Sequence, residues 1–81
     1  MPVILRIGPY TFFFFSLENN EPPHIHVKRD KDLAKFWLAP VSLASNRYFP
    51  LHELTRIRIL VQENRELLLR GWNDYFDRTN D

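Results

Sequence analysis

The hydrophobic positions in the first half of the chain run in short blocks or alternate with polar ones, which is typical of β-strands. Apolar residues dominate positions 3–7, and Gly8-Pro9 then supplies a turn. The next block, residues 10–16, contains four consecutive phenylalanines, so aromatic side chains lie on both of its faces. A strand that is apolar on both sides is expected inside a sheet, with both faces covered.

Two further segments predict a hairpin. Residues 24–29 alternate between polar and apolar side chains, and residues 33–38 form a fourth predicted strand after a charged turn at 30–32. Short connections between successive strands favour antiparallel pairing. The polar face of the third strand carries His24, His26 and Lys28.

From Pro50 onward the hydrophobic spacing changes to three or four residues, which predicts a long helix over residues 51–76. A bend is expected near Asn64 or Gly71, since glycine inside a helix costs about 1 kcal/mol relative to alanine. Residues 40–46 are expected to be a connector that can hold a short helical turn. The predicted fold is α+β: a small antiparallel sheet of about four strands with the C-terminal helix across one face, in a single domain.

Composition narrows the function. The 81 residues carry a net charge of +1, so no global field indicates a nucleic-acid or membrane partner. The absence of cysteine excludes disulfides, thiolate metal sites and cysteine nucleophiles. Two glycines are too few for a phosphate-binding loop, and we expect no cofactor. The apolar N-terminus is interrupted by Arg6 and is too short to span a membrane, so we expect a cytoplasmic protein without membrane contact.

The candidate site is the strand face of His24, His26 and Lys28, whose side chains project the same way. Both imidazoles titrate near neutrality, so one can act as general base and the other as general acid in metal-free cleavage of RNA. A lysine can stabilise the phosphoryl oxyanion. Lys35 beside Trp37 extends this face as a binding pair, because bases stack on aromatic rings while cations contact phosphates.

Two other interpretations of the histidines stay open. A His-x-His pair on a strand suits a transition metal, but it needs a third ligand. The spacing does not identify that ligand among His52, Glu53, Glu18, Glu21 and Asp30, and we assign no metal. The simplest interpretation is that both histidines lie on a solvent-exposed sheet face without a chemical role.

Several segments together resemble a small prokaryotic family of domains of unknown function, DUF4160. They are Pro22-Pro23-His24-Ile25-His26-Val27, Ala34-Lys35-Phe36-Trp37-Leu38 with Pro40-Val41, the opening residues 2–8 with the phenylalanine run, and the apolar pattern that ends in Trp72-Asn73 and Tyr75-Phe76. The resemblance implies a stand-alone cytoplasmic protein, often encoded beside another small gene in an arrangement similar to toxin–antitoxin pairs. It places His24, His26, Lys35, Trp37 and Asn46 in the motif. Tyr48 stands where the family pattern has glycine, which makes a tight turn there less expected.

The leading hypothesis is the toxin-like half of such a pair, binding or cutting RNA through His24, His26 and Lys28, with Lys35, Trp37 and Asn46 as binding residues. The first alternative is a non-enzymatic module that binds a partner protein. The second is a metal-dependent hydrolase. Because so small a core often relies on a partner, a homodimer or a complex with the neighbouring gene's product is weighed equally with a monomer.

Overall fold

The computed structural model describes residues 2–18 and 20–77, which leaves Met1, Asn19 and residues 78–81 outside the description. It has the predicted α+β architecture, an antiparallel sheet packed by C-terminal helices. The strands are paired in chain order and are followed by two helices. The elements are β1 (Val3–Ile7), β2 (Tyr10–Phe13), β3 (His24–Arg29), β4 (Asp32–Leu38), β5 (Val41–Arg47), α1 (Leu51–Glu63) and α2 (Arg65–Asp77).

The strand predictions need two corrections. The second strand ends at Phe13 rather than at residue 16, because the chain leaves the sheet and the N–H of Phe15 binds the side chain of Glu18. The expected connector over residues 40–46 is wrong, since β5 occupies this segment and pairs along β4. β5 escapes detection because it is an edge strand whose serines and asparagine interrupt the apolar alternation.

The single predicted helix is two helices, and the break lies at Asn64, one of the two expected positions. The backbone N–H and the side-chain amide of Asn64 both donate to the carbonyl of Leu60, which ends α1. Gly71 does not break α2. A Cβ added there would lie 3.1 Å from the side chain of Ile4, so this glycine permits close packing of α2 on β1. Neither described helix is long and apolar enough to cross a membrane.

One face of the sheet, which we call the helix face, carries the hydrophobic core. It is covered by α1 and α2, and the interior position predicted for β2 is confirmed by the burial of its side chains. The buried core consists of Tyr10, Phe12, Phe14, Ile25, Val27, Ala34, Phe36, Leu38, Phe49, Ile57, Val61, Leu68, Trp72 and Phe76.

The opposite face, which we call the loop face, carries side chains of mixed chemistry. Its rows follow from the strand register, because partners across antiparallel strands share a face. One row joins Phe13, His26, Lys35 and Ser45, and the next joins Thr11, Lys28, Leu33 and Arg47. Part of this face is covered by residues 14–18 and 20–23 of the connection between β2 and β3, which we call the acid loop.

Candidate functional site

The acid loop is shaped by hydrogen bonds between its own residues and is joined to β4 by one further backbone bond. The carboxylate of Glu18 accepts from the backbone N–H of Phe15 at 2.7 Å, and its carbonyl accepts from the N–H of Glu21 at 3.2 Å. The carbonyl of Pro23 accepts from the N–H of Leu38 at 3.1 Å, where the extended conformation before proline leads the chain into β3. These bonds bring Glu18 over the two histidines.

The three side chains Glu18, His24 and His26 form a cluster, which we call the His–Glu cluster. The Oε2 atom of Glu18 lies 3.0 Å from Nε2 of His24 and 2.9 Å from Nε2 of His26. The side chain of His24 has no exposed surface, and those of His26 and Glu18 are 9% and 14% exposed. The interpretation of the histidines as solvent-exposed is therefore wrong, because the acid loop covers them.

Aromatic rings enclose the cluster. The ring of His24 contacts Trp37 and Trp72, with centroids 5.7 and 4.7 Å away, and these are the two tryptophans of the chain. The ring of His26 contacts Phe13 and Phe15, with centroids 5.4 and 4.7 Å away. Water is thereby largely excluded around two imidazoles and a carboxylate, so each polar atom here needs a partner.

The environment of His24 fixes its tautomer. Nδ1 lies 3.0 Å from the carbonyl oxygen of Pro22. A carbonyl can only accept, so Nδ1 carries a proton. Nε2 of His24 lies 3.0 Å from Oε2 of Glu18, but it has no well-directed hydrogen-bond partner among the described residues. Two buried atoms of this kind need a positive charge between them, which either a proton on Nε2 or a metal ion supplies.

The protonation states of the other two members suit a cation as well. Burial alone raises the pKa of Glu18, but the hydrogen bonds from His26 and from the N–H of Phe15 outweigh it and hold this pKa below its usual range. Burial lowers the pKa of His26, and the hydrogen bond with Glu18 offsets only part of that effect. Near neutral pH the carboxylate is therefore ionised and the His26 ring is neutral, as metal ligands must be.

A second ion pair borders the cluster. Nζ of Lys35 donates to Glu21 at 2.6 Å and lies 4.6 Å from the ring centre of Trp37. This pairing explains where two of the predicted binding residues lie: Lys35 and Trp37 form the rim of the site and are half-buried. Hydrogen bonding to Lys35 lowers the pKa of Glu21. The charge of this carboxylate is therefore balanced by Lys35, and Glu18 remains the acid of the cluster.

The cluster has the composition of a metal site. The ligand atoms of its members lie within 4.8 Å of one another. Ligands about 2.0–2.1 Å from an ion are roughly 2.9 Å apart at right angles and roughly 3.3 Å apart at tetrahedral angles. The distances of 3.0 and 2.9 Å from Glu18 to the two imidazoles fit the first value, and they are also the distances of N–H···O hydrogen bonds. The backbone groups that bind His24 and Glu18 supply the outer contacts that orient metal ligands.

Of the five candidate third ligands, the structure brings Glu18 to both histidines. Glu21 pairs with Lys35, and Glu53 lies elsewhere, accepting hydrogen bonds from Tyr10 at 2.7 Å and Arg29 at 2.6 Å. Neither His52 nor Asp30 belongs to the cluster. A usable signal was present in the sequence: a carboxylate in a short loop that leads into a His-x-His strand.

The remaining predicted residues lie outside the cluster. Lys28 is exposed on the loop face and makes no hydrogen bond or ion pair with any described side chain, the histidines included. The side-chain amide of Asn46 donates to the carbonyl of Phe49 and its oxygen accepts from the N–H of the same residue, at 3.0 and 3.1 Å. Asn46 therefore holds the turn after β5, in which Tyr48 has φ 77°.

Comparison with known proteins gives one match. The family model described as "Domain of unknown function (DUF4160)" matches residues 10–73 and so includes every member of the His–Glu cluster. No curated protein and no solved structure matches the chain.

Proposed function

The chain belongs to the DUF4160 family of domains of unknown function, and we propose that it binds a divalent transition-metal ion with Glu18, His24 and His26 as ligands. The observation that carries the proposal is the unpartnered, buried Nε2 of His24, which faces the Glu18 carboxylate at 3.0 Å. An ion between these atoms replaces a repulsive contact by two bonds. Imidazole and carboxylate together suit zinc or iron(II).

A bound ion would have two consequences. It ties the acid loop to β3, because Glu18 comes from the loop and both histidines come from the strand. It also keeps at least one coordination position for water, since centres with three protein ligands are of the catalytic rather than the closed structural type. Of the functions expected from the sequence, a metal-dependent hydrolase has the most support, with access from the side of Glu18 and His26.

The test is metal binding by tag-free protein that has been treated with a chelator. We expect one equivalent of Zn²⁺ to bind in calorimetry and to change the fluorescence of the chain's two tryptophans, both of which contact His24. At free Zn²⁺ of 100 times Kd the free energy of unfolding rises by about 2.7 kcal/mol. Co²⁺ reports the coordination through its visible spectrum, and Mg²⁺ is not expected to compete.

The matched variants are Glu18→Gln and Glu21→Gln, two acids of the same loop. Removal of a group that only hydrogen-bonds to a metal ligand weakens metal binding by about tenfold to 100-fold. Glu18 is a proposed ligand itself, so we expect Glu18→Gln to weaken Zn²⁺ binding by more than that. Glu21 pairs with Lys35 and approaches His24 only at Nδ1, 3.8 Å away, and not at the ligand atom Nε2, so its variant is expected to retain wild-type affinity. Equal losses in the two variants, or no saturable binding by the folded wild type, would overturn the proposal.

The toxin-like role and the partner chain stay predictions of the sequence. The burial of both imidazoles means that RNA reaches them directly only if the acid loop opens. A metal ion explains the pair without such an opening, which is why we place it first.

A further inference from the structure

Beside the His–Glu cluster, the loop face contains a second feature that the metal proposal does not use. A cavity of about 270 Å³ lies between the aromatic residues at and just after the end of β2 and the turn that joins β3 to β4. Its apolar lining includes Phe13, Phe15 and Leu33. Phe13 is buried, whereas Phe15 is 44% exposed, so an aromatic ring is available on the wall of an open depression.

Three cations line this cavity together with two acids, Asp30 and Asp32. Lys28 and Arg47 stand in the same row of the sheet, on either side of Leu33, and Lys31 lies in the adjoining turn. All three side chains are exposed, and none forms an ion pair within the described part of the chain. They contrast with Lys35 on the same face, which is paired with Glu21.

We propose that this cavity, lined by Phe15, Lys28 and Arg47, binds single-stranded RNA, with a base on the phenylalanine ring and phosphates on the cations. An exposed ring stacks on a base whatever its sequence, and a sheet face with neighbouring cations is a recurrent platform for single strands. The ligand must be single-stranded, because a duplex keeps its bases stacked inside. This inference does not rest on the metal site.

The turn between β3 and β4 also restricts where the phosphates of a bound RNA can lie. Asp30 and Asp32 line the cavity beside Lys31, and their carboxylates repel phosphates from this end. Lys28 and Arg47 are separated across the sheet by one strand, or roughly 10 Å, and both have free side chains. Phosphates are therefore expected to lie along the Lys28–Arg47 row rather than at the turn.

The test uses the full chain and a short fluorescein-labelled oligouridylate, followed by fluorescence anisotropy in chelator. The double variant Lys28→Gln/Arg47→Gln is expected to lose at least about tenfold in affinity. Its slope of log K against log salt should decrease by about 1.4, or 0.7 for each lost phosphate contact on a single strand. Phe15→Ala should also lose about tenfold, which is within the range for one stacked base.

Two controls make the test specific. Arg58→Gln/Arg70→Gln removes the same charge from exposed positions on the helices and should leave affinity within about twofold to threefold of the wild type. Asp30→Asn removes a repulsive charge at a position with φ 53°, which asparagine tolerates, and is expected to tighten binding. A gain of affinity from a single substitution is not explained by misfolding.

Each other outcome counts against the proposal. Equal losses in the two double variants would mean that binding follows net charge alone. Equal affinity for a matched RNA duplex or for a polyglutamate peptide would mean that the surface is a general anion site. No binding by the folded wild type would also overturn it. Because chelator is present throughout, failure of metal binding leaves the result unchanged, and failure here leaves the metal proposal standing.

Discussion

The two faces of the sheet are buried by different means. On the helix face, apolar side chains such as Phe12 and Ile25 are covered by apolar residues of two helices. On the loop face, His24 and His26 are covered by the acid loop, which contributes a carboxylate, and His24 also contacts Trp72 of α2. Burial on the helix face stabilises the fold through area removed from water, and burial on the loop face brings together groups that need a charge.

This difference has a physical consequence for function. A core of close-packed rings tolerates no ligand without rearrangement. A polar cluster with an unpartnered buried nitrogen is stabilised by a positive charge that binds this nitrogen, and the apolar surroundings strengthen that interaction. The helix face therefore supplies most of the free energy of folding. The loop face carries the candidate chemistry, and its contribution to stability depends on pH and on the metal concentration.

The sharpest test of the comparison uses two phenylalanines of the same run. Phe12 lies on the helix face with no exposed surface, and Phe15 lies on the loop side and is 44% exposed. We expect Phe12→Ala to lower the free energy of unfolding by about 3–5 kcal/mol and Phe15→Ala by about 1 kcal/mol. Urea denaturation measures both values.

For a domain of this size, Phe12→Ala can abolish folding, so Phe12→Leu provides a milder variant at the same site. It keeps a large apolar side chain and is expected to lose about 1–2 kcal/mol. Equal losses for the two alanine variants would contradict the division of roles between the two faces.

A second test concerns the acid on the helix side, Glu53, which is buried beneath Tyr10 and Arg29. The hydrogen bond from Tyr10 and the charge of Arg29 lower its pKa below the usual value of 4.5, although burial opposes this. A lowered pKa in the folded state means that its contribution is fully present above pH 4.5 and disappears as the pH falls through the folded value.

The measurement is the unfolding midpoint between pH 6 and pH 3, compared in wild type and Glu53→Gln. Glutamine can still accept both hydrogen bonds but cannot ionise, so the variant is expected to lose less stability on acidification than the wild type does. Identical pH profiles would show that Glu53 contributes nothing charge-dependent. Repeating the experiment with Glu18→Gln separates the contribution of Glu18 to the pH dependence of stability from that of Glu53.

Much of this fold follows from local pattern, and the exceptions have identifiable causes. Alternation placed His24 and His26 on one face and Ile25 and Val27 on the other, as observed, because side chains on a strand have a strict period of two. The helix break at Asn64 was likewise among the expected positions. Edge strand β5 was not predicted, because most of its side chains are exposed and its serines and asparagine interrupt the apolar alternation.

The candidate site was only half predictable. The strand supplied two ligands by periodicity, but the third comes from the acid loop, where no period restricts which side chain points inward. Glu18 is selected by contacts that only the folded chain makes, above all the N–H of Phe15 and the position of Pro22 beside His24. Lys28 shares the periodicity of the histidines, yet it lies beyond the loop's cover and remains in solvent.

The smallest effect is expected at the turn after β5, which leads into α1. Tyr48 has φ 77°, a conformation that costs a residue with a Cβ about 1–2 kcal/mol, and its side chain is 70% exposed. Tyr48→Gly relieves this strain but gains chain entropy in the unfolded state, so we expect stabilisation of at most about 1 kcal/mol. Tyr48→Ala keeps the Cβ and the strain, and it should be less stable than the glycine variant by about 1 kcal/mol.

If alanine and glycine gave the same unfolding midpoint, the Asn46 hydrogen bonds to Phe49 would hold the turn without strain. In that case Asn46→Ala would be the variant that loosens it, at a loss of about 1 kcal/mol.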